Sequence, residues 1–158
     1  YIVKRACEVG ENMCGRYVNL ASGSLPDEIT VSHANCKLVG YDFLFRGHDH
    51  TLGNLFQTWI VQNLIEGKPR TNKSITFAGY SVPHPLRDEM VLRIGVEDGE
   101  ETTARMAIAE AAKGCVALFQ ELRRAWLATL GTAPASSSSS ASASTSPASS
   151  TSIADEFE

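Results

Sequence analysis

Four histidines and four cysteines are the residues whose types and spacing could do chemistry in this chain. His48 and His50 flank a single residue, and Cys7, Cys14, His33 and Cys36 form a set that could in principle ligate zinc. Structural zinc sites draw their ligands in pairs from tight knuckles of the Cys-x-x-Cys kind. No such pair occurs, and His33-x-x-Cys36 comes nearest to one. The expectation is therefore no metal ligand, with buried thiols and imidazoles that cap or face solvent. As general acids or bases, His50 and His84 would each need a nucleophile or a carboxylate held within reach, and neither has one nearby in sequence. They are read as structural, hydrogen-bonded to local backbone. Asp49 is read as a helix cap, and Asp42 as a polar position on the outer face of a strand. Gly-rich phosphate loops, nucleophile motifs and paired acidic clusters that hold magnesium are all missing. No catalytic residue and no cofactor is expected in this chain.

The elements that must position these residues follow from apolar spacing. Leu52, Leu55, Phe56, Trp59, Ile60, Leu64 and Ile65 recur at three and four residues, the period of one helix face. Asp49 or Thr51 can cap that helix by accepting from its first free N–H groups, and Gly67 is placed to end it in the left-handed conformation. Gly53 inside the helix costs about 1 kcal/mol relative to alanine, which points to close approach of another backbone. Before the helix, Tyr41, Phe43 and Phe45 alternate with Asp42, Leu44 and Arg46, a strand with one aromatic face. After it, residues 75–82 predict a strand with Tyr80 and Val82 on one side and Ile75 and Phe77 on the other. Pro83 and Pro85 stop it, since neither has a backbone donor. Met90, Leu92, Ile94 and Val96 make the clearest strand.

Acidic residues after Asp98-Gly99 suit the positive end of a last helix that runs to about Leu130. Along it Ile108, Ala112, Cys115, Phe119, Leu122 and Trp126 step by four and three, a heptad seam. Ala109, Val116 and Leu130 widen this seam on one flank, and Ala111, Leu118 and Ala125 on the other. An apolar face broader than one small sheet can cover usually meets a partner. Trp59 and Trp126 are read as core or interface anchors rather than stacking platforms. At the start, residues 1–4 and 16–20 predict short strands, with Gly10 and Gly15 as breaks, and residues 29–32 another.

The order strand, helix, strand, strand, helix predicts an α+β plan, a small antiparallel sheet with two helices on one face. Residues 1–35 read as an N-terminal extension or short strands, 36–131 as the domain, and 132–158 as a Ser/Ala-rich disordered tail. That tail has almost no large apolar side chain with which to offset ordering entropy. A formal charge of −4 argues against a dedicated nucleic-acid surface, and Lys68, Arg70 and Lys73 read as a solvated loop. No run of about 18 apolar residues is present, so no membrane span is expected.

Two blocks carry a resemblance: Asp49-His50-Thr51-Leu52-Gly53-Asn54-Leu55 and Phe77-Ala78-Gly79-Tyr80-Ser81-Val82-Pro83-His84-Pro85. With a strand at Met90 and a long helix after it, the chain resembles the smaller alpha-like subunit of archaeal and eukaryotic DNA-directed RNA polymerases over roughly residues 38–130. The second block is most similar to the form shared by polymerases I and III. The resemblance implies the alpha-like dimerisation fold and a non-catalytic assembly role in transcription: heterodimerisation with the larger alpha-like subunit, and through the pair, support for the two large catalytic subunits. Magnesium would then belong to those subunits, and this chain would make no sequence-specific nucleic-acid contact. Partner-interface residues implied by the two helices are Leu52, Gly53, Leu55, Phe56, Trp59, Ile60, Ile108, Ala112, Cys115, Phe119, Leu122 and Trp126. Helix-to-helix contact across that interface would account for Gly53.

His48 stands where the family usually has an acidic residue, residues 65–74 make a longer and more polar link than usual, and the first thirty residues match nothing in the family. These departures suggest a divergent member, as in a large DNA virus, where the two alpha-like subunits are fused. A start at Tyr1 fits a piece of a longer chain. The expected compartment is the nucleus for a cellular polymerase, and the cytoplasm or virion for a viral one. A free-standing dimerisation module unrelated to transcription is the other reading open to these residues.

Overall fold

A computed structural model describes residues 1–67 and 74–131. Helix α1 (Ile2–Gly15) comes first, then strands β1 (Ile29–His33) and β2 (Gly40–Arg46), helix α2 (His50–Ile60) with a π-helical turn (Val61–Ile65), strands β3 (Ile75–Ser81) and β4 (Glu89–Val96), and the long helix α3 (Glu101–Gly131). The four strands form one antiparallel sheet in the order β1-β2-β4-β3. This is the expected α+β plan with one helix more than the sequence predicted.

The sheet buries one face. Tyr41, Phe43 and Phe45 of β2 and Met90, Leu92, Ile94 and Val96 of β4 all point to the core, where α2 and α3 cover them. Period-2 alternation in a strand therefore sorts these two strands as predicted. β3 departs from the prediction. A β-bulge between Ile75 and Phe77 inserts one residue into the register against β4. Ile75 thereby joins Ala78 in the core, while Phe77 is left 43% exposed. β1 falls where the sequence predicts a short strand and joins the same sheet, pairing Ile29 with Phe45 through His33 with Tyr41, within the segment read as an extension or short strands.

Residues 1–20 contain no strand; residues 2–15 are helix α1. Cys7, Gly10 and Cys14, spaced three and four apart, are its buried positions, and they face α3. Gly10 is no break: a Cβ there would stand 2.5 Å from Cζ of Phe119, so glycine lets the aromatic ring lie on the helix backbone. The β-branched Ile2 and Val3 and the glycines misled the sequence reading because tertiary packing, not propensity, fixes this helix.

α2 also ends differently. The Asn63 side chain donates to the Trp59 carbonyl at 2.8 Å, and the Glu66 N–H reaches back five residues to Val61 at 2.8 Å. A side chain that takes the i−4 carbonyl favours this widened π turn over a regular last turn. Gly67 is not left-handed, as positive φ among the described glycines is confined to Gly23, Gly47 and Gly99. Gly47, at φ 76°, turns the chain from β2 towards α2.

α3 has two halves. Its first half is buried through Ala104, Ala107, Ile108, Ala109, Ala111, Ala112 and Cys115. Small side chains let the helix lie close to sheet and α2. From Leu118 onward it exposes Leu118, Leu122, Trp126, Leu127 and Leu130. No described helix is long and apolar enough to cross a membrane.

Candidate partner interface

The two motif blocks meet each other inside the chain. Asp49 caps α2, its Oδ1 accepting from Thr51 N–H at 2.9 Å, and that bond holds the carboxyl below its ordinary range. One turn later Gly53 sits under the ring of Tyr80 from β3, where a Cβ would stand 2.7 Å from Cγ. His50 Nδ1 lies 3.3 Å from the Tyr80 hydroxyl, and Gln57 Oε1 accepts from the Tyr80 backbone N–H at 3.0 Å. Gly53 therefore serves the chain's own α2–β3 joint, which corrects the expectation that it answers to a second chain. The Leu86 N–H donates to His84 Nδ1 at 3.2 Å, a local backbone bond of the kind expected for this residue.

The twelve residues expected at the interface divide by depth. Leu52, Gly53, Phe56, Ile60, Ile108, Ala112 and Cys115 are buried in the chain's own core. Leu55, Trp59 and Phe119 are half-buried, and Leu122 and Trp126 are exposed at 51% and 39%. Trp59 packs on Gly114 of α3, where a Cβ would stand 2.5 Å from Cζ2. Of the twelve, those least buried thus lie on the distal half of α3 and along one edge of α2.

Sequence reasoning missed α1 altogether. It runs antiparallel to α3, with Gly10 against Phe119 and Glu11 against Gln120 and Arg123. Glu11 accepts from Gln120 Nε2 at 2.7 Å and lies 3.1 Å from an Arg123 nitrogen. The buried Cys7, Gly10 and Cys14 spacing was the available signal. An open apolar groove of 520 Å³ lies between α1 and Phe119, and Thr51 also lines it.

The metal candidates do not converge. Cys7 and Cys14 are buried, Cys36 is exposed, and His33 stacks on Tyr41 with centroids 4.9 Å apart. His48 Nε2 is 2.6 Å from the hydroxyl of the buried Tyr17, and burial lowers its pKa. Among the described residues no group of three or more His, Cys, Asp or Glu could hold a metal ion. On the open face of the sheet, Arg93 grips Asp42 with two bonds of 2.6 and 2.7 Å, the outer-face role expected of that aspartate. Lys68, Arg70 and Lys73 and the Ser/Ala-rich tail lie outside the described residues.

Residues 41–125, running from β2 into α3, match the family described as the RNA polymerase Rpb3/Rpb11 dimerisation domain. The chain is 45% identical over 49 residues to the DNA-directed RNA polymerase subunit Rpo11 of Metallosphaera sedula, covering 31% of this chain and 44% of that protein. It is 32% identical over 89 residues to Rpo11 of Thermococcus kodakarensis, covering 56% of this chain and 85% of that one. It is 29% identical over 98 residues to the probable DNA-directed RNA polymerases I and III subunit RPAC2 of Caenorhabditis elegans, covering 62% of this chain and 57% of that one. The chain thus spans about half the length of two of these relatives. The match takes in both motif blocks and most of α3, and this chain belongs to the RNA polymerase Rpb3/Rpb11 dimerisation domain family.

Proposed function

We propose that this chain is a non-catalytic assembly subunit of a multisubunit DNA-directed RNA polymerase, the smaller of two alpha-like subunits. It pairs with the larger alpha-like subunit, as a separate chain or within one polypeptide, and the pair holds the two large catalytic subunits. Nucleotide transfer and its magnesium belong to those subunits. The observation that carries this reading is the family match across residues 41–125, which takes in α2 and most of α3, the two helices whose apolar faces the sequence singled out. The exposed row Leu122 and Trp126, with the half-buried Leu55, Trp59 and Phe119, is the pairing surface we assign. Burial of such side chains against a partner contributes about 25 cal/mol per Å² of apolar area. In a nucleated cell the compartment is the nucleus, and in a virus the cytoplasm or virion.

Affinity purification from native or infected cells tests this. Recovery with an alpha-like partner and two very large chains, in a complex that makes RNA from a template, is the expected result. Recovery alone or as a homodimer would overturn the reading.

A further inference from the structure

α1 lies outside the family-matched residues 41–125, yet it packs along α3 inside them. Its position makes a valley. Phe119 forms the floor, Ala6, Val9 and Met13 of α1 form one wall, and Thr51 at the start of α2 closes one end. Leu122 and Trp126, three and seven residues beyond Phe119, fall on the same side of α3 and carry the apolar floor outward. Arg5 of α1, 63% exposed, adds a cation to the lining of this apolar valley. Glu8, one turn along α1, lies 3.3 Å from Arg5.

We infer that α1 is one wall of the partner site and that the valley receives an amphipathic helix of the alpha-like partner, with its apolar row on Phe119, Leu122 and Val9 and a carboxylate towards Arg5. This rests on the pairing proposed above and adds to it a docking element that the family-matched residues do not contain. The physical case is continuity: the apolar floor begins inside the matched domain and is walled by a helix outside it, so an occupant of the α3 row must also touch α1. Helix-in-groove binding reads anchors at such spacing, and the Arg5 charge helps to fix the register of the incoming helix.

The test uses the full chain co-expressed with the alpha-like partner of the same cell, with affinity measured by titration and folding of the unpaired chain by thermal unfolding. The double variant Ala6→Glu/Val9→Glu alters two exposed side chains. It is expected to keep the parent's unfolding temperature and to lose at least tenfold in affinity for the partner. Arg5→Glu is expected to weaken binding more at 50 mM than at 500 mM salt, as a screened rim charge should. If the double variant binds as the parent does while Leu122→Glu abolishes pairing, α1 is not a wall, although the pairing stands. Tighter binding by the double variant would mean that α1 obstructs the site, which also overturns the inference. If the parent itself fails to bind, the pairing reading falls and this one with it.

Discussion

The ring of Tyr80 occupies the space where residue 53 would carry a side chain, so β3 and α2 are joined through a glycine. A methyl group added at Gly53 improves helix propensity by about 1 kcal/mol but forces a side chain into a fully packed contact, which costs about 1–3 kcal/mol. The isolated chain carrying Gly53→Ala is expected to be destabilised by about 1 kcal/mol in urea unfolding, and Gly53→Leu by more. Combining Gly53→Ala with Tyr80→Leu should recover part of the loss, because the two changes share one contact. Strict additivity in this double-mutant cycle would disprove the joint.

Stability should fall on both sides of a neutral plateau because of Tyr17 and His48. Burial, followed by the charge of Arg16, lowers the His48 pKa, so the unfolded chain binds this proton more readily than the folded one. Its contribution is complete above the unfolded value near 6.5 and is lost as pH falls from there through the folded value. Burial and then Glu28 push Tyr17 up to about 12 from 10, so the folded chain keeps the phenol proton and its contribution is lost as pH rises from 10 towards 12. Urea midpoints across pH 5–11 should show both limbs. His48→Gln should flatten the acid limb alone, and an unchanged acid limb in that variant would refute the assignment.

The Asp42 to Arg93 pair joins β2 to β4 on the uncovered sheet face, with side chains 15% and 34% exposed. Partly screened bidentate geometry puts its worth at about 1 kcal/mol. Asp42→Asn should lower stability by that amount in low salt and by less in 0.5 M salt. A loss that does not respond to salt would assign the effect to packing rather than charge.

Trp126→Glu replaces a side chain on the projecting half of α3, far from the buried half. Its expected signature is an unchanged unfolding temperature of the isolated chain with failure to co-purify with an alpha-like partner. Gly114→Leu provides the contrast, since Trp59 fills that space and the monomer itself should be destabilised. A fall in monomer stability for Trp126→Glu would mean that the distal half of α3 is structural rather than free to bind.

Strong local period decided what the sequence could determine. Alternation in β2 and β4 named their core faces correctly, because the pleat leaves only two sides and one was all aromatic or aliphatic. The Asp49 cap and the span of α3 also follow from adjacent residues, and the two blocks carried the family resemblance. Tertiary structure alone decided the rest. Cys7, Gly10 and Cys14 become a helix face only because α3 covers them, and Gly10 fits only because Phe119 lies there. The bulge that turns Ile75 inward depends on register against β4, which no local pattern encodes. Likewise, the apolar stripes of α2 and α3 looked like one partner interface, since periodicity shows that a face is buried and not by what. The chain's own core, sheet and helices together, buries seven of those twelve positions and leaves Leu122 and Trp126 exposed, because the distal part of α3 runs past the elements that cover its first half.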